Sequence, residues 1–174
     1  ISTHQMNNLS QVIETSRVIA RKMDIVASMT EIARTRSRLT MQMVYTDDLF
    51  DRDEINMTLN VKATEFALLR QQLIDLGLNQ QEQTILDQQR EYIGKALTKQ
   101  REAADLAIST EESDRELAAE IVIHDVYPDQ NMIVDHFMTL LELQKAELDV
   151  IAEQSVYSLD RFKKFNLAAV ALIF

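Results

Sequence analysis

Residues 9–54 read LSQVIETSRVIARKMDIVASMTEIARTRSRLTMQMVYTDDLFDRDE, and this stretch decides the fold. Leu9, Val12, Ser16, Ile19, Met23, Val26, Thr30, Ala33, Ser37, Thr40 and Val44 recur at alternating spacings of three and four, with no glycine or proline among them. That spacing is one face of an α-helix, since 3.6 residues per turn brings such positions onto a single stripe. The stripe stops at an acid-rich turn. There Asp51 followed by Glu54 reads as an N-cap with an acid at the third helical position, a device that satisfies the orphan amides of a helix start.

Working outward, the same device recurs at Asn79 with Glu82 and at Ser109 with Glu112, and Gly77 stands where a helix C-cap is expected. The breaks therefore fall near 46–52, 76–80 and 108–112, which leaves four helices. Helix 2 carries the stripe Ile55, Leu59, Phe66, Leu69, Leu73 and Leu76. Helix 3 carries Ile85, Tyr92, Ala96, Ala103 and Leu106, and helix 4 carries Val134, Leu141, Leu148 and Phe162 with Met138 beside them. Composition agrees. The 174 residues include two glycines and one proline, and good helix formers dominate. Pro128, inside the stretch IHDVYPDQN, removes a backbone donor, so a kink or short break is expected near 124–128.

The expected architecture is an all-α, antiparallel up-down four-helix bundle. Helices 1 and 4 outlast helices 2 and 3, so residues 1–22 and 141–164 extend as a two-helix stalk. A stalk of two helices buries little surface alone, which favours a homodimer through helices 1 and 4. Residues 1–164 make up the bundle domain. Residues 165–174, FNLAAVALIF, carry no charge and read as the beginning of a membrane helix, although ten residues fall short of the roughly 20 a span needs.

Several function classes are disfavoured. With no cysteine, there is no disulfide, thiolate nucleophile or iron–sulfur ligation. The net charge is −10, and residues 111–160 hold thirteen acids against Arg115 and Lys145, a surface that repels nucleic-acid phosphate. His4, His124 and His136 close no ExxH pair of the kind a di-iron bundle uses. The turn with Asp47, Asp48, Asp51, Asp53 and Glu54 lacks EF-hand spacing. No catalytic residue, metal site or cofactor is expected.

The arginines of helix 1 are the candidate binding residues. At 100° per residue, Arg34 lies about 60° from the centre of the core stripe, and Arg36 and Arg38 lie about 100° off on opposite sides. Guanidinium forks suit small carboxylates, and the alternative is that these arginines pair with the acids of helix 4 and bind nothing. Antiparallel register brings Lys99 of helix 3, and His124 and Tyr127 of helix 4, near the same level. Arg34, bordering the interior and partly desolvated, is expected to want an anionic partner.

The stretch IARTRSRLTMQMVYTDDLFDRDE at 32–54, followed by EFALLRQQL at 65–73 and later by a helix with an internal proline, resembles the four-helix-bundle sensor domains of bacterial membrane receptors. Those domains stand in front of chemotaxis transducers, diguanylate cyclases and some histidine kinases. The resemblance implies a periplasmic bundle of an inner-membrane protein, dimeric, with ligand binding near its membrane-distal end. Some members bind amino-acid or organic-acid carboxylates through arginines of helix 1, which here would be Arg34, Arg36 and Arg38. Where relatives often have proline, this sequence has Leu49. The alternative expectation, from a different class, is a structural or adaptor bundle that binds a protein partner.

Overall fold

A long unbroken stripe winds into a long unbroken helix. In a computed structural model, which describes the backbone of residues 3–171 and the side chains of residues 7–158, α1 runs Thr3–Tyr45. It is followed by α2 (Leu49–Asp75), α3 (Gln80–Ala107), α4 (Glu112–Ile121), a π-helical turn (Val122–Val126) and α5 (Tyr127–Ala171). The last three are continuous, so the chain forms an all-helical bundle of four helical paths, with no strand among the described residues. The expectation for 165–174 rests on side chains outside the described residues. No helix of the described residues is long and apolar enough to cross a membrane.

The turns follow local chemistry, with two corrections. Asn79 and Glu82 form the expected reciprocal box: the Glu82 amide donates to Asn79 Oδ1 and the Asn79 amide to Glu82 Oε2, each at 2.9 Å. At α2 the cap is Asp48, not Asp51; its Oδ1 accepts from the Phe50 amide at 2.7 Å and the Asp51 amide at 3.2 Å. The run Asp47, Asp48, Asp51 offers several carboxylates to one helix start, and the one three residues earlier wins while Asp51 becomes the first-turn acid. At α4 the N-cap position is Glu111, without a side-chain cap, and Ser109 Oγ accepts from the Glu111 amide instead. Gly77, at φ +82°, takes the left-handed conformation that closes α2.

Pro128 does not break the helix. The amide of Tyr127 donates to Val122 O, five residues back, so the turn before the proline is wound wide. A π turn of this kind carries an extra residue and widens the helix just before Pro128, which relieves the crowding of the ring against the preceding turn, so the irregularity expected near 124–128 appears as a wide turn in a continuous path.

Residues 24–141 form one compact unit, and residues 1–23 with 142–174 form a second. In the first, one core cluster gathers Met43, Ile55, Leu59, Ala103 and Val122, and another gathers Val26, Met29, Leu73, Leu86 and Phe137. Gln89 Nε2 donates to Ile133 O at 3.0 Å, and Lys99 Nζ lies 3.7 Å from Asp125. For these pairs residue numbers rise on one helix as they fall on the other. Thr30 and Thr40, in the α1 stripe, are buried and bond back to Val26 O and Arg36 O, so their hydroxyls cost little.

On α5 the seam lies one residue away from the expected row. Val126, Gln130, Ile133, Phe137 and Leu140 are buried, while Val134 and Leu141 are half-buried and Met138 is exposed. Gln130 interrupts the true seam on paper, which made the neighbouring apolar row look continuous. In the second unit Ile19 is buried, whereas Leu9, Ile13, Val150, Val156 and Tyr157 stay exposed.

Candidate functional site

The three candidate arginines, Arg34, Arg36 and Arg38, divide between two cavities of the 24–141 unit. Arg34 and Arg38 are exposed and line an open groove of about 750 Å³ between α1 and α5, shared with Ser37, Tyr127, Gln130 and Asn131. This corrects the expectation for Arg34: it does not border the core, because the row 34–38–41–45 faces the groove and not a neighbouring helix. Neither Arg34 nor Arg38 is held in an ion pair or hydrogen bond among the described residues. At the groove floor Ser37 Oγ and Gln130 Nε2 are buried without a hydrogen-bond partner.

Arg36 is the arginine that turns inward. Its Nη1 donates to Leu59 O of α2, while Nε and Nη2 donate to Gln100 Oε1 of α3 at 3.2 and 2.7 Å. Burial, and after it the charge of Arg101, holds its guanidinium below the usual arginine range. The row 29–33–36–40 explains this: α1 packs against two neighbours, so its buried face is wider than one stripe and takes in position 36.

Arg36 lines a second, smaller cavity of about 190 Å³, to which all four helical paths contribute. Its polar groups are Arg36, Arg70, Gln100 and Gln130, and its walls are apolar, chiefly Phe66, Ile93, Ala96 and Ile133. No carboxylate lines it. Burial and the charge of Arg90 lower the affinity of the Arg70 guanidinium for its proton, and Asp87 opposes them. Gln100 has 3% of its surface exposed and Gln130 6%, and the Nε2 of each lacks an acceptor. The orientation of Gln100 is forced, since Arg36 can only donate and must face the amide oxygen. A buried donor left without an acceptor costs about 1–3 kcal/mol.

The remaining expected residues lie apart from both cavities except Tyr127. Lys99 pairs with Glu102 at 2.8 Å and faces Asp125. The hydrogen bond it donates to Glu102 is the main reason its ammonium sits above the ordinary lysine value. His124 is exposed and lies 3.1 Å from Glu120 on the same helix. The structure thus groups Arg34, Arg38 and Tyr127, sets Arg36 in a separate interior site, and leaves Lys99 and His124 on the surface. Among the described residues no group of three or more His, Asp or Glu side chains is placed to hold a metal ion.

Sequence reasoning missed Gln100, Gln130 and Arg70. The signal for the glutamines was present: 100 falls between Ala96 and Ala103 on the α3 stripe, and 130 falls one turn before Ile133 and Val134 on α5. A polar residue at a stripe position is either a buried hydrogen-bonding group or a fault in the stripe. No known family model matches this sequence, and no curated protein shows significant similarity to it.

Proposed function

We propose that the chain is the extracytoplasmic ligand-sensing domain of a bacterial transmembrane receptor. In this reading it passes helix movement through the membrane to a cytoplasmic output domain of the chemotaxis-transducer or diguanylate-cyclase type. The observation that carries it is the open groove bearing Arg34 and Arg38, two unpaired guanidiniums on α1, opposite Tyr127, Gln130 and Asn131 of α5. A small organic acid or amino acid in the groove would be gripped by arginine forks on one helix and by hydroxyl and amide groups on the other. Its binding energy then depends on how α5 lies against α1, which is what a ligand must do to shift a helix. The π turn at 122–126 adjoins the groove, and wide turns are places where a helix changes register at low cost.

Isothermal titration with a panel of organic acids and amino acids tests this on wild type, Arg34→Ala and Arg38→Ala. Loss of one charged contact should weaken the ligand ten- to hundredfold, or about 1.5–3 kcal/mol. Unchanged affinity in both variants for a bound anion removes the groove from the reading.

The same reading has the protein periplasmic and dimeric, with helices 1 and 4 meeting their counterparts in a second copy. The exposed Leu9, Ile13, Val150, Val156 and Tyr157 support this, since they lie on the segments of the expected stalk. Sedimentation equilibrium should show weak self-association, with a dissociation constant in the high micromolar range that tethering to a membrane would strengthen. Val156→Glu should abolish it. A strict monomer at millimolar concentration removes the dimer.

A further inference from the structure

We propose that the interior cavity lined by Arg36, Arg70, Gln100 and Gln130 is a second binding site, for a small carboxylate with a compact apolar body. The site rests on the ligand-sensing reading only for the chemical class of its occupant. Two features point to an anion. Two guanidiniums line a cavity that no carboxylate lines, and neither makes an ion pair among the described residues. The Gln100 carboxamide NH₂, on a side chain more than nine-tenths buried, has hydrogens to donate and nothing to receive them. Gln100 cannot turn its amide round to cure this, because its oxygen is pinned by Arg36. An incoming carboxylate brings the acceptor oxygens and negative charge that this lining lacks.

The rest of the lining sets the body of the ligand. Phe66, Ile93, Ala96 and Ile133 offer no hydrogen bonds, so the part beyond the carboxylate is apolar. Size sets the limit. A cavity of about 150 Å³ holds one benzene ring, and 190 Å³ leaves room for a ring with one carboxylate. Benzoate is therefore the probe. Benzyl alcohol has its shape without the charge, and succinate has charge without the apolar body.

Arg70 and Ala67 supply the variants. Arg70 is half-buried and makes no hydrogen bond, so Arg70→Met removes a cation without orphaning a partner. Ala67 is exposed at the cavity, and Ala67→Leu pushes apolar bulk into its mouth without opening the core. Titration calorimetry and thermal melting on the full chain should show benzoate binding, with benzyl alcohol and succinate each at least tenfold weaker. Arg70→Met and Ala67→Leu should each weaken benzoate at least tenfold while the unliganded melting temperature holds or rises. Benzoate binding lost in Arg38→Ala but kept in Arg70→Met and Ala67→Leu would overturn the interior site and leave the sensing reading standing. Equal affinity for benzoate and benzyl alcohol would overturn anion recognition, as would no benzoate binding at 10 mM.

Discussion

Arg52→Ala should lower the melting temperature by roughly 10 °C, the loss expected from about 3–5 kcal/mol in a chain of this size. Arg52 has 3% of its surface exposed, yet every nitrogen of its guanidinium donates a hydrogen bond. Nε donates to Thr46 O and Nη2 to Asp47 O at 3.1 Å, where α1 ends. Nη1 donates to Ala107 O and Ser109 O, both at 3.0 Å, where α3 ends. The last carbonyls of a helix have no amide partners in the helix and carry its partial negative charge. One cation thus satisfies two helix ends and ties the 46–48 turn to the 108–111 turn. Alanine leaves four carbonyls dry or forces water into the end of the bundle. Arg52→Lys should recover only part of the loss, because an ammonium is a point charge and cannot fork between two turns. Circular dichroism melts of the three proteins measure this. A loss under 1 kcal/mol would mean that water already serves these carbonyls.

Arg52 also marks where sequence reading stopped short. The apolar stripe of α2 begins at Ile55, but three residues earlier on the same face stands Arg52, and it is buried. The helices themselves were legible because periodicity and local caps are short-range: the Asn79–Glu82 box needs only four consecutive residues. Apolar periodicity fails where a buried position is polar, and this unit buries Arg52, Gln89, Gln100 and Gln130 on its helix faces. For Arg52, Gln89 and Gln100 the partners lie on other elements, so a single stripe shows only that a polar residue interrupts it. The same cause exchanged the roles of Arg34 and Arg36. An angular offset from one stripe assumes one neighbour, whereas Arg36 touches both α2 and α3. For the proposed sites, the sequence points to arginines of α1 but not to which of them faces the groove and which the interior.

Phe137→Ala should cost about 3–5 kcal/mol, because it removes the largest fully buried side chain of the α5 seam. Phe137 packs in the cluster of Val26, Met29, Leu73 and Leu86, and its ring meets Phe66 at 5.9 Å between centroids, tilted by 56°. Tilted contacts of this kind add about 0.5–1.5 kcal/mol to the burial itself. Phe66 also lines the interior cavity, so the truncation opens new apolar space beside a space that already exists. Helices joined by short turns cannot close fully around such a hole, which is why the loss should exceed the transfer energy of the missing ring. The void is apolar and stays dry, so a neutral aromatic should enter it. Benzene at saturation should then raise the melting temperature of Phe137→Ala by several degrees while leaving wild type nearly unchanged. Wild type responding as strongly would place benzene in the existing cavity and not in the space left by Phe137. A loss below 1.5 kcal/mol in Phe137→Ala would show that α5 collapses onto its neighbours, a motion the groove beside it would then share.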